Sequence, residues 1–443
     1  MRKSLKKAGM IMTVGTMLFS QMGAFSTVAM AEDAAGGYTG DPVTIQFWHT
    51  RGSGANYEVV QHEVEEFNNT IGKEKGITVE EVFIGDYNQI LAKTQLAIQS
   101  GESPQVVVSG NTFVNYLLED GVLADMAPLA EETGWDRGNL LEPFQEINGN
   151  TDGTLYTVPY IRSTPLFYYN KTMADAKGLT EPTTVEEMEE FCKAMYEEES
   201  VSGLCMGNDF GYLQACHLYQ LGSAYVSEDG NSSPAIEDGT LLRVLGDWRR
   251  WVDEGWCEPY DATDAMTVMT EEFAQQKLAC MIASSGMLAT LMDNAEANGF
   301  EMGTCQYPTY NADDRTAMIG GGNLCVISEG NTEDEVMASW EFVQFLMSDE
   351  EVSYNTINTG YVPVTKSVAD YEGMKEFWKE NPLFEVAYNQ TMTGQCQEKP
   401  YSPYLQDFTQ VCWDAVSLLI CDQSIDAEEA VEQIKMESES FFG

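Results

Sequence analysis

The hydrophobic pattern of the first 120 residues alternates between two periods. Short apolar runs rich in β-branched residues are typical of buried strands, and longer segments with apolar residues every three to four positions are typical of helices. The pattern predicts, in chain order, a strand at 43–49, a helix at 57–67, a strand at 77–84, a helix at 87–100, a strand at 105–109 and a helix at 112–120. This order predicts a mostly parallel sheet with helices on both faces.

Ligands of such sheets bind beyond the carboxyl ends of the strands. In this chain those ends place polar or aromatic residues around His49, Tyr87 and Asn111. Trp48 and His49 are therefore candidates for contact at the edge of a ligand.

The segment 159–171, PYIRSTPLFYYNK, combines a strand-like composition with polar residues at its centre. Arg162, Ser163 and Thr164 offer groups that can reach a ligand, although an ordinary turn before a proline explains them equally well. We interpret the segment as a crossing from one lobe of the molecule to another. Because side chains alternate along a strand, Arg162 and Ser163 should point to opposite faces.

A second α/β lobe is predicted after this crossing. A helix with overlapping capping boxes begins at 182–187, and 273–286 has the pattern of a helix followed by a strand that ends at Ser284. A long amphipathic helix with a further capping box is predicted at 332–347, and 359–364 is a third candidate crossing. The carboxyl-terminal 70 residues have a helical pattern.

Two segments of this half carry alternative interpretations. The aromatic residues Phe210 and Tyr212 lie between glycines, where they form either a wall for a ligand or a loop that caps the core. The glycine-rich stretch 320–323 is interpreted as a turn, which either lets the backbone approach a ligand or simply reverses the chain. No lysine and serine or threonine follow it, so it is not a phosphate-binding loop.

The amino terminus has the layout of a secretory signal peptide. Four basic residues precede an apolar run at 8–19, and an A-x-A pattern ends at Ala31. The run is too short for a membrane span, so we expect 1–31 to be a signal peptide and 32–41 a flexible tether. The first cysteine is Cys192, so no lipid anchor is expected at the cleavage site. The mature protein is expected to be exported, to the periplasm or the cell surface.

The expected mature chain is strongly acidic and large. Without the signal peptide it has 19 basic residues against 71 acidic ones, a formal net charge of −52. Nucleic acid and anionic lipid are bound through lysine and arginine, so this balance argues against both as partners. About 410 residues exceed what one hydrophobic core usually serves, so two lobes are expected.

Ten cysteines and three histidines form no recognisable metal motif. The cysteines are scattered without a CxxC, and several, such as Cys280, have apolar neighbours, so we expect mostly buried free thiols with room for one or two disulfides. The pair His62 and Glu63 lacks the second histidine of HExxH. No metal site and no cofactor are predicted.

Seven motifs follow one another along the chain: FWHT at 47–50, IGDY at 84–87, SGESP at 100–104, STPLFYYNK at 163–171, IASSG at 282–286, IGGGNL at 319–324 and NTGYVPVTK at 358–366. In this order the chain resembles the extracellular solute-binding proteins of carbohydrate ABC importers, and within them the branch that binds glycerol phosphate. The resemblance covers nearly the whole mature chain. It implies a type II periplasmic-binding-protein-like fold, in which two α/β lobes joined by three crossings close on a small ligand and present it to an ABC permease.

The resemblance also implies boundaries and contacts. The first lobe is expected at 42–160 and 287–355, the second at 165–284 and 362–443, and the crossings near 161–164, 284–286 and 356–361. The implied ligand contacts are Tyr87, Ser163, Ser284, Gly321 and Tyr361. Two positions depart from the branch, since Asn111 replaces a glutamate and Gln410 replaces the arginine that holds the phosphate. Both keep hydrogen-bonding groups and lose charge.

These observations together predict a monomeric binding protein, not an enzyme, for a small carbohydrate or polyol. Hydroxyl groups would be held by Ser163, Ser284, Asn111 and Gln410, and a sugar ring would stack on an aromatic residue such as Tyr87, Tyr361 or Phe210. The alternative ligand is glycerol 3-phosphate or one of its diesters, held by Arg162, which otherwise is expected to form an interlobe salt bridge. A secreted glycosidase with two carboxylates and an adhesin are less favoured.

Overall fold

The computed structural model describes residues 37–110, 113–145, 150, 153–198, 200–207, 215–260, 265–312, 315–393, 396–398 and 401–442. Its strands are β1 Val43–His49, β2 Ile77–Phe83, β3 Val106–Gly110, β4 Val158–Ser163, β5 Pro165–Asn170, β6 Ser202–Gly207, β7 Cys257–Tyr260, β8 Leu278–Ser284, β9 Met302–Gln306, β10 Ala317–Met318, β11 Gly320–Val326 and β12 Cys396–Gln397.

Its helices up to the second crossing are α1 Gly54–Asn69, α2 Ile71–Lys75, α3 Tyr87–Ser100, α4 Phe113–Glu119, α5 Ala127–Thr133, α6 Lys171–Lys177, α7 Val185–Met195, α8 Ala215–Gln220, α9 Pro234–Glu237, α10 Thr240–Asp253 and α11 Ala265–Ala274. The later helices are α12 Leu288–Ala297, α13 Glu333–Leu346, α14 Asp349–Thr359, α15 Lys366–Asp370, α16 Glu372–Glu380, α17 Glu385–Thr393, α18 Leu405–Val416 and α19 Ala427–Phe442.

The strands form two five-stranded sheets, one in each lobe. The first has the order β2-β1-β3-β11-β4 and the second the order β7-β6-β8-β5-β9. In the first sheet β1 is parallel to β2 and β3, whereas β11 is antiparallel to both of its neighbours. A two-stranded ribbon of β10 and β12 adds to the second lobe. The architecture confirms the predicted two-lobe α/β fold.

The chain passes from the first sheet to the second between β4 and β5. Strand β4 ends at Ser163 in the first sheet, and β5 begins at Pro165 in the second, with Thr164 between them. All twelve residues of the two strands are buried. The polar centre of this segment therefore lies between the lobes.

Local sequence signals set the ends of several helices. Helix α3 begins after Asp86, whose carboxylate accepts a hydrogen bond from the backbone N–H of Gln89 at 2.8 Å, and it ends at Gly101 with φ +76°. Helix α7 begins with the predicted capping box of Thr184 and Glu187. A capping box at Thr332 likewise opens α13. These helices match the prediction because capping depends on neighbours within one turn.

Two predictions differ from the structure. The stretch 320–323 is not a turn but the start of β11, with a bulge after Gly322, because β3 and β4 both pair with it. The expected first-lobe segment 287–355 includes β9, which pairs with β5 in the second sheet, so the chain returns to the first sheet at Gly320. Buried side chains from Val362 to Ala387 belong to a hydrophobic cluster that spans both sheets, since it also contains Leu166 of β5 and Leu278 of β8.

Each lobe has an aromatic core. Phe47, Phe67 and Phe342 pack edge to face in the first, and Trp248 and Trp251 are fully buried in the second. All ten cysteines lie in described parts of the chain as free thiols, and seven of them are buried. Within the described ranges, no helix is long and apolar enough to cross a membrane.

Candidate functional site

Five of the predicted ligand residues meet between the lobes. Tyr87 opens α3, Ser163 ends β4, Ser284 ends β8, Gly321 lies at the start of β11, and Tyr361 follows α14. We call these five residues the cleft cluster.

Two glycines make room for the ring of Tyr87. A Cβ atom added to Gly110 would lie 3.1 Å from Cγ of Tyr87, and one added to Gly322 would lie 2.9 Å from its hydroxyl oxygen. The tyrosine therefore packs directly on the backbones of β3 and β11. This close approach explains why the glycine-rich stretch occurs at this point of the sheet.

The second and third crossings bring Ser284 and Tyr361 together. A Cβ atom on Gly286 would lie 2.5 Å from Cε1 of Tyr361. The backbone N–H of Gly286 donates to Oγ of Ser284 at 3.3 Å, and its carbonyl oxygen accepts from Nδ2 of Asn56 at 2.9 Å. Ser163 joins them through the neighbouring pair of Thr164 and Ser285, whose backbones bond at 2.9 Å.

The two tyrosines of the cluster are neutral hydroxyl groups. Burial raises the pKa of Tyr87, and the neighbouring Tyr361 raises it further. Burial likewise raises the pKa of Tyr361. Each hydroxyl therefore remains a hydrogen-bond donor and acceptor at neutral pH, which suits a hydroxylated ligand.

Arg162 lies beside the cluster in a fully buried position. Its guanidinium bonds to Oδ1 of Asn323 at 3.0 Å, forms an ion pair with Glu398, and lies 5.3 Å from the ring centre of Phe144. Glu398 follows the ribbon strand β12, whose partner β10 is buried in the second core. The ion pair thus joins β4 of the first sheet to the residue that follows the ribbon of the second lobe.

A second arginine near the cluster was not anticipated from the sequence. Arg51 is buried just after β1 and influences the pKa of both Tyr87 and Tyr361. Its guanidinium donates to Glu63 at 2.7 Å and to the hydroxyl of Tyr160. The sequence could have identified Arg51 as a candidate by its position just after the first parallel strand, because ligands bind at such strand ends.

The lobes also touch at a separate contact, which we call the mouth. The rings of Tyr116 and Tyr401 meet edge to face with centres 5.6 Å apart, and the Tyr116 hydroxyl donates to the carbonyl oxygen of Ser402 at 3.1 Å. Asn88 of the first lobe accepts from Gln406 of the second at 3.5 Å. Contacts between residues about 300 positions apart left no signal in the local sequence.

The remaining predicted residues lie elsewhere. His49 is fully buried against Glu81, and Trp48 is half-buried with its indole N–H bonded to Gln46. Gln410 is exposed on α18 and donates to Asp414 at 2.8 Å, so the structure does not bring it into the cleft cluster. Asn111 and the segment with Phe210 and Tyr212 lie outside the described residues.

Comparison with known proteins adds independent information. The family model described as bacterial extracellular solute-binding protein matches residues 64–386. The chain is 27% identical over 393 residues to the sn-glycerol-3-phosphate-binding periplasmic protein UgpB of Yersinia enterocolitica, covering 81% of this chain and 82% of that protein.

Solved structures share the fold. The crystal structure of UgpB from Mycobacterium tuberculosis in complex with glycerophosphocholine superposes with a TM-score of 0.79 at 21% identity, covering 90% of this chain and 98% of that one. The structure of the maltose/maltodextrin-binding domain MalE from Bdellovibrio bacteriovorus bound to maltotriose superposes with a TM-score of 0.74 at 17% identity. The superposition covers 90% of this chain and 99% of that one.

Proposed function

Because the chain belongs to the bacterial extracellular solute-binding proteins, which serve ABC importers outside the cytoplasm, we propose that it captures a small neutral carbohydrate or polyol between its lobes. The cleft cluster holds the ligand, with Ser163 and Ser284 bonding to hydroxyl groups and Tyr87 or Tyr361 stacking against the sugar. The loaded protein then presents the ligand to the permease as a monomer. Export depends on the amino-terminal signal peptide.

One observation carries the choice of a neutral ligand. Both arginines beside the cluster already face carboxylates, Arg162 with Glu398 and Arg51 with Glu63. A buried phosphate needs cationic or several N–H partners, since burying its charge unpaired costs several kcal/mol. A neutral hydroxylated ligand leaves both ion pairs in place.

A thermal-shift screen of sugars, polyols, glycerol 3-phosphate and glycerophosphocholine tests the proposal. At a hundredfold excess over its dissociation constant, a ligand stabilises the folded state by about 2.7 kcal/mol, a rise of a few degrees in melting temperature. We expect neutral compounds to give the largest shift. A screen in which no neutral compound shifts the melting temperature would contradict the proposal.

The second candidate is a glycerol phosphate ester, favoured by the similarity to UgpB. In that case Arg162 exchanges Glu398 for the phosphate. Tight binding of glycerol 3-phosphate by the unmodified protein, abolished in Arg162→Ala, would establish this ligand.

The variant Glu398→Gln separates the two candidates. Removing the carboxylate releases the guanidinium, so glycerol 3-phosphate should bind about tenfold more tightly in calorimetry if the ion pair is what excludes it. Glu372→Gln, an exposed carboxylate on α16, is the matched control and should leave the affinity unchanged.

A further inference from the structure

A cavity lies outside the cleft cluster, and none of the five residues of that cluster lines it. It encloses about 490 Å³ between α1 and α14 on one side and α12, α16 and the start of β9 on the other. Its floor is apolar, formed by Val59, Met292, Phe300, Met302, Phe377 and Phe384. This volume lies in the range of sites for small organic molecules. We call the cavity the groove.

The rim of the groove is acidic. Glu58, Asp293, Glu296 and Glu301 line it, all with exposed side chains, and the described lining residues include no lysine, arginine or histidine. Within the part of the chain that the structure describes, none of the four carboxylates forms a salt bridge to a basic side chain. Partial burial and the neighbouring carboxylates Glu296 and Glu58 raise the pKa of Asp293. The negative charges of these three residues thus converge at the opening, whereas Glu301 lies near Lys171 and raises the pKa of that lysine.

An apolar floor beneath such a rim selects one ligand chemistry. Transfer of the hydrocarbon part of a ligand from water to this floor is favourable in free energy, and an ammonium group at the opening is attracted by the carboxylates. The faces of Phe300, Phe377 and Phe384 are electron-rich, which also favours a cation over an anion. A carboxylate or phosphate at the same position would be repelled.

We propose that the groove is a second ligand site, for a small amphiphilic cation such as an alkylamine. The site is separate from the cleft, and the proposal does not depend on what the cleft binds. The alternative is that the groove binds nothing and provides clearance, an empty space that lets the lobes move. Met302 belongs to the second sheet, whereas α1 and α14 pack on the first lobe.

Three probes of equal chain length test the chemistry: octylammonium, octanoate and 1-octanol. In calorimetry at low salt, octylammonium should bind at one site per chain, more tightly than octanol, and octanoate should not bind. Spectra of the protein labelled with ¹³C-methyl methionine locate the site. The methyl signals of Met292 and Met302 should shift with octylammonium, while that of Met188, buried in the second core, should not.

Charge variants distinguish attraction of octylammonium to the rim carboxylates from its attraction to the general negative charge of the protein. Asp293→Asn with Glu296→Gln should weaken octylammonium binding by about fivefold. The control pair Glu432→Gln with Glu439→Gln removes the same charge from exposed positions on α19 and should have no effect. Ala289→Phe should block the groove, with its melting temperature measured to confirm that it folds.

Several outcomes would overturn the proposal. Absence of saturable octylammonium binding would leave clearance as the role of the groove. Equal binding of octanoate would remove the selection for a cation, and equal loss in the control pair would show only general attraction to an acidic surface.

Discussion

At Gly321 the backbone has a conformation that side-chain-bearing residues rarely adopt. Its φ is +89°, and a Cβ atom built there would collide with the carbonyl oxygen of Ile161 on the neighbouring strand. Gly321 pairs with Arg162, the arginine of the interlobe ion pair. The glycine is therefore needed for the close packing of β11 and β4 beside the cleft cluster, whether or not it touches a ligand.

Replacing Gly321 with alanine should destabilise the protein. The unfavourable φ alone costs about 1–3 kcal/mol, and the collision with Ile161 adds to it. Thermal and urea unfolding measure the change. Gly246→Ala is the matched control, since it lies within α10 where an added Cβ meets no atom within 4 Å, and it should stabilise by about 0.5–1 kcal/mol. Equal stabilities of the two variants would contradict this account.

The packing of α1 against α14 contains two buried carboxyl groups. Glu63 on α1 pairs with Arg51 at 2.7 Å, whereas Glu351 on α14 has only the half-exposed His62 at 3.8 Å as a basic neighbour among the described residues. Burial raises the pKa of Glu351 to about 9, and the nearby Glu63, Glu350 and Glu66 contribute. Glu351 is thus protonated in the folded protein at neutral pH.

Stability should therefore fall as the pH rises from about 4.5 towards 9. Glu351 keeps its proton in the folded state throughout this window, whereas the unfolded chain releases it near its ordinary pKa. One such group lowers the free energy of unfolding by up to about 1.4 kcal/mol per pH unit. Urea unfolding between pH 5 and 9 measures the slope.

Glu351→Gln keeps the shape and removes the titration, so its slope should be shallower. Its control is Glu372→Gln, an exposed carboxylate on α16 that does not contribute to the raised pKa of Glu351, and this variant should retain the slope of the unmodified protein. Identical slopes for Glu351→Gln and the unmodified protein would show that this carboxyl group does not govern the pH dependence. Glu63, whose pKa burial also raises, would be the next candidate.

On the scale of the whole molecule, the lobes are connected by the crossings and by the mouth contact of Tyr116 with Tyr401 and Ser402. We propose that this contact forms only when the lobes close, because its two sides belong to helices and loops of different lobes. Ser402 is anchored in the second lobe through its hydroxyl, which donates to the carbonyl oxygen of Gly230 at 2.6 Å. A contact made only on closure stabilises the ligand-bound form.

Tyr116→Ala should weaken ligand binding about tenfold, mainly through faster release, because it removes an aromatic contact and a hydrogen bond from the closed form. Tyr116→Phe keeps the aromatic ring and removes only the hydroxyl, so its ligand affinity should fall by a smaller factor. Calorimetry gives the affinity and stopped-flow fluorescence gives the release rate. Unchanged affinity in Tyr116→Ala would mean that the mouth takes no part in closure.

Solution scattering tests closure itself. It should show compaction of the unmodified protein on ligand addition.

The sequence alone determined the local elements and the order in which they build two lobes. The strand at Val43–His49, the helix at Tyr87–Ser100 and the capping box of Thr184 were predictable because periodicity and capping depend on residues within one or two turns. The polar centre of 159–171 was likewise recognisable from the sequence, because Arg162, Ser163 and Thr164 interrupt a strand-like run within a few residues.

Only the tertiary structure decided which polar groups remain available to a ligand. The partner of Arg162 is Glu398, 236 positions away, and Arg51 is neutralised by Glu63 and packed under Tyr160. Gln410, placed in the site by resemblance, lies exposed on α18, and the stretch read as a turn at Gly321 became a paired strand. Such outcomes depend on long-range pairing and on which charges share a buried environment, and neither is encoded in the spacing of residues along the chain.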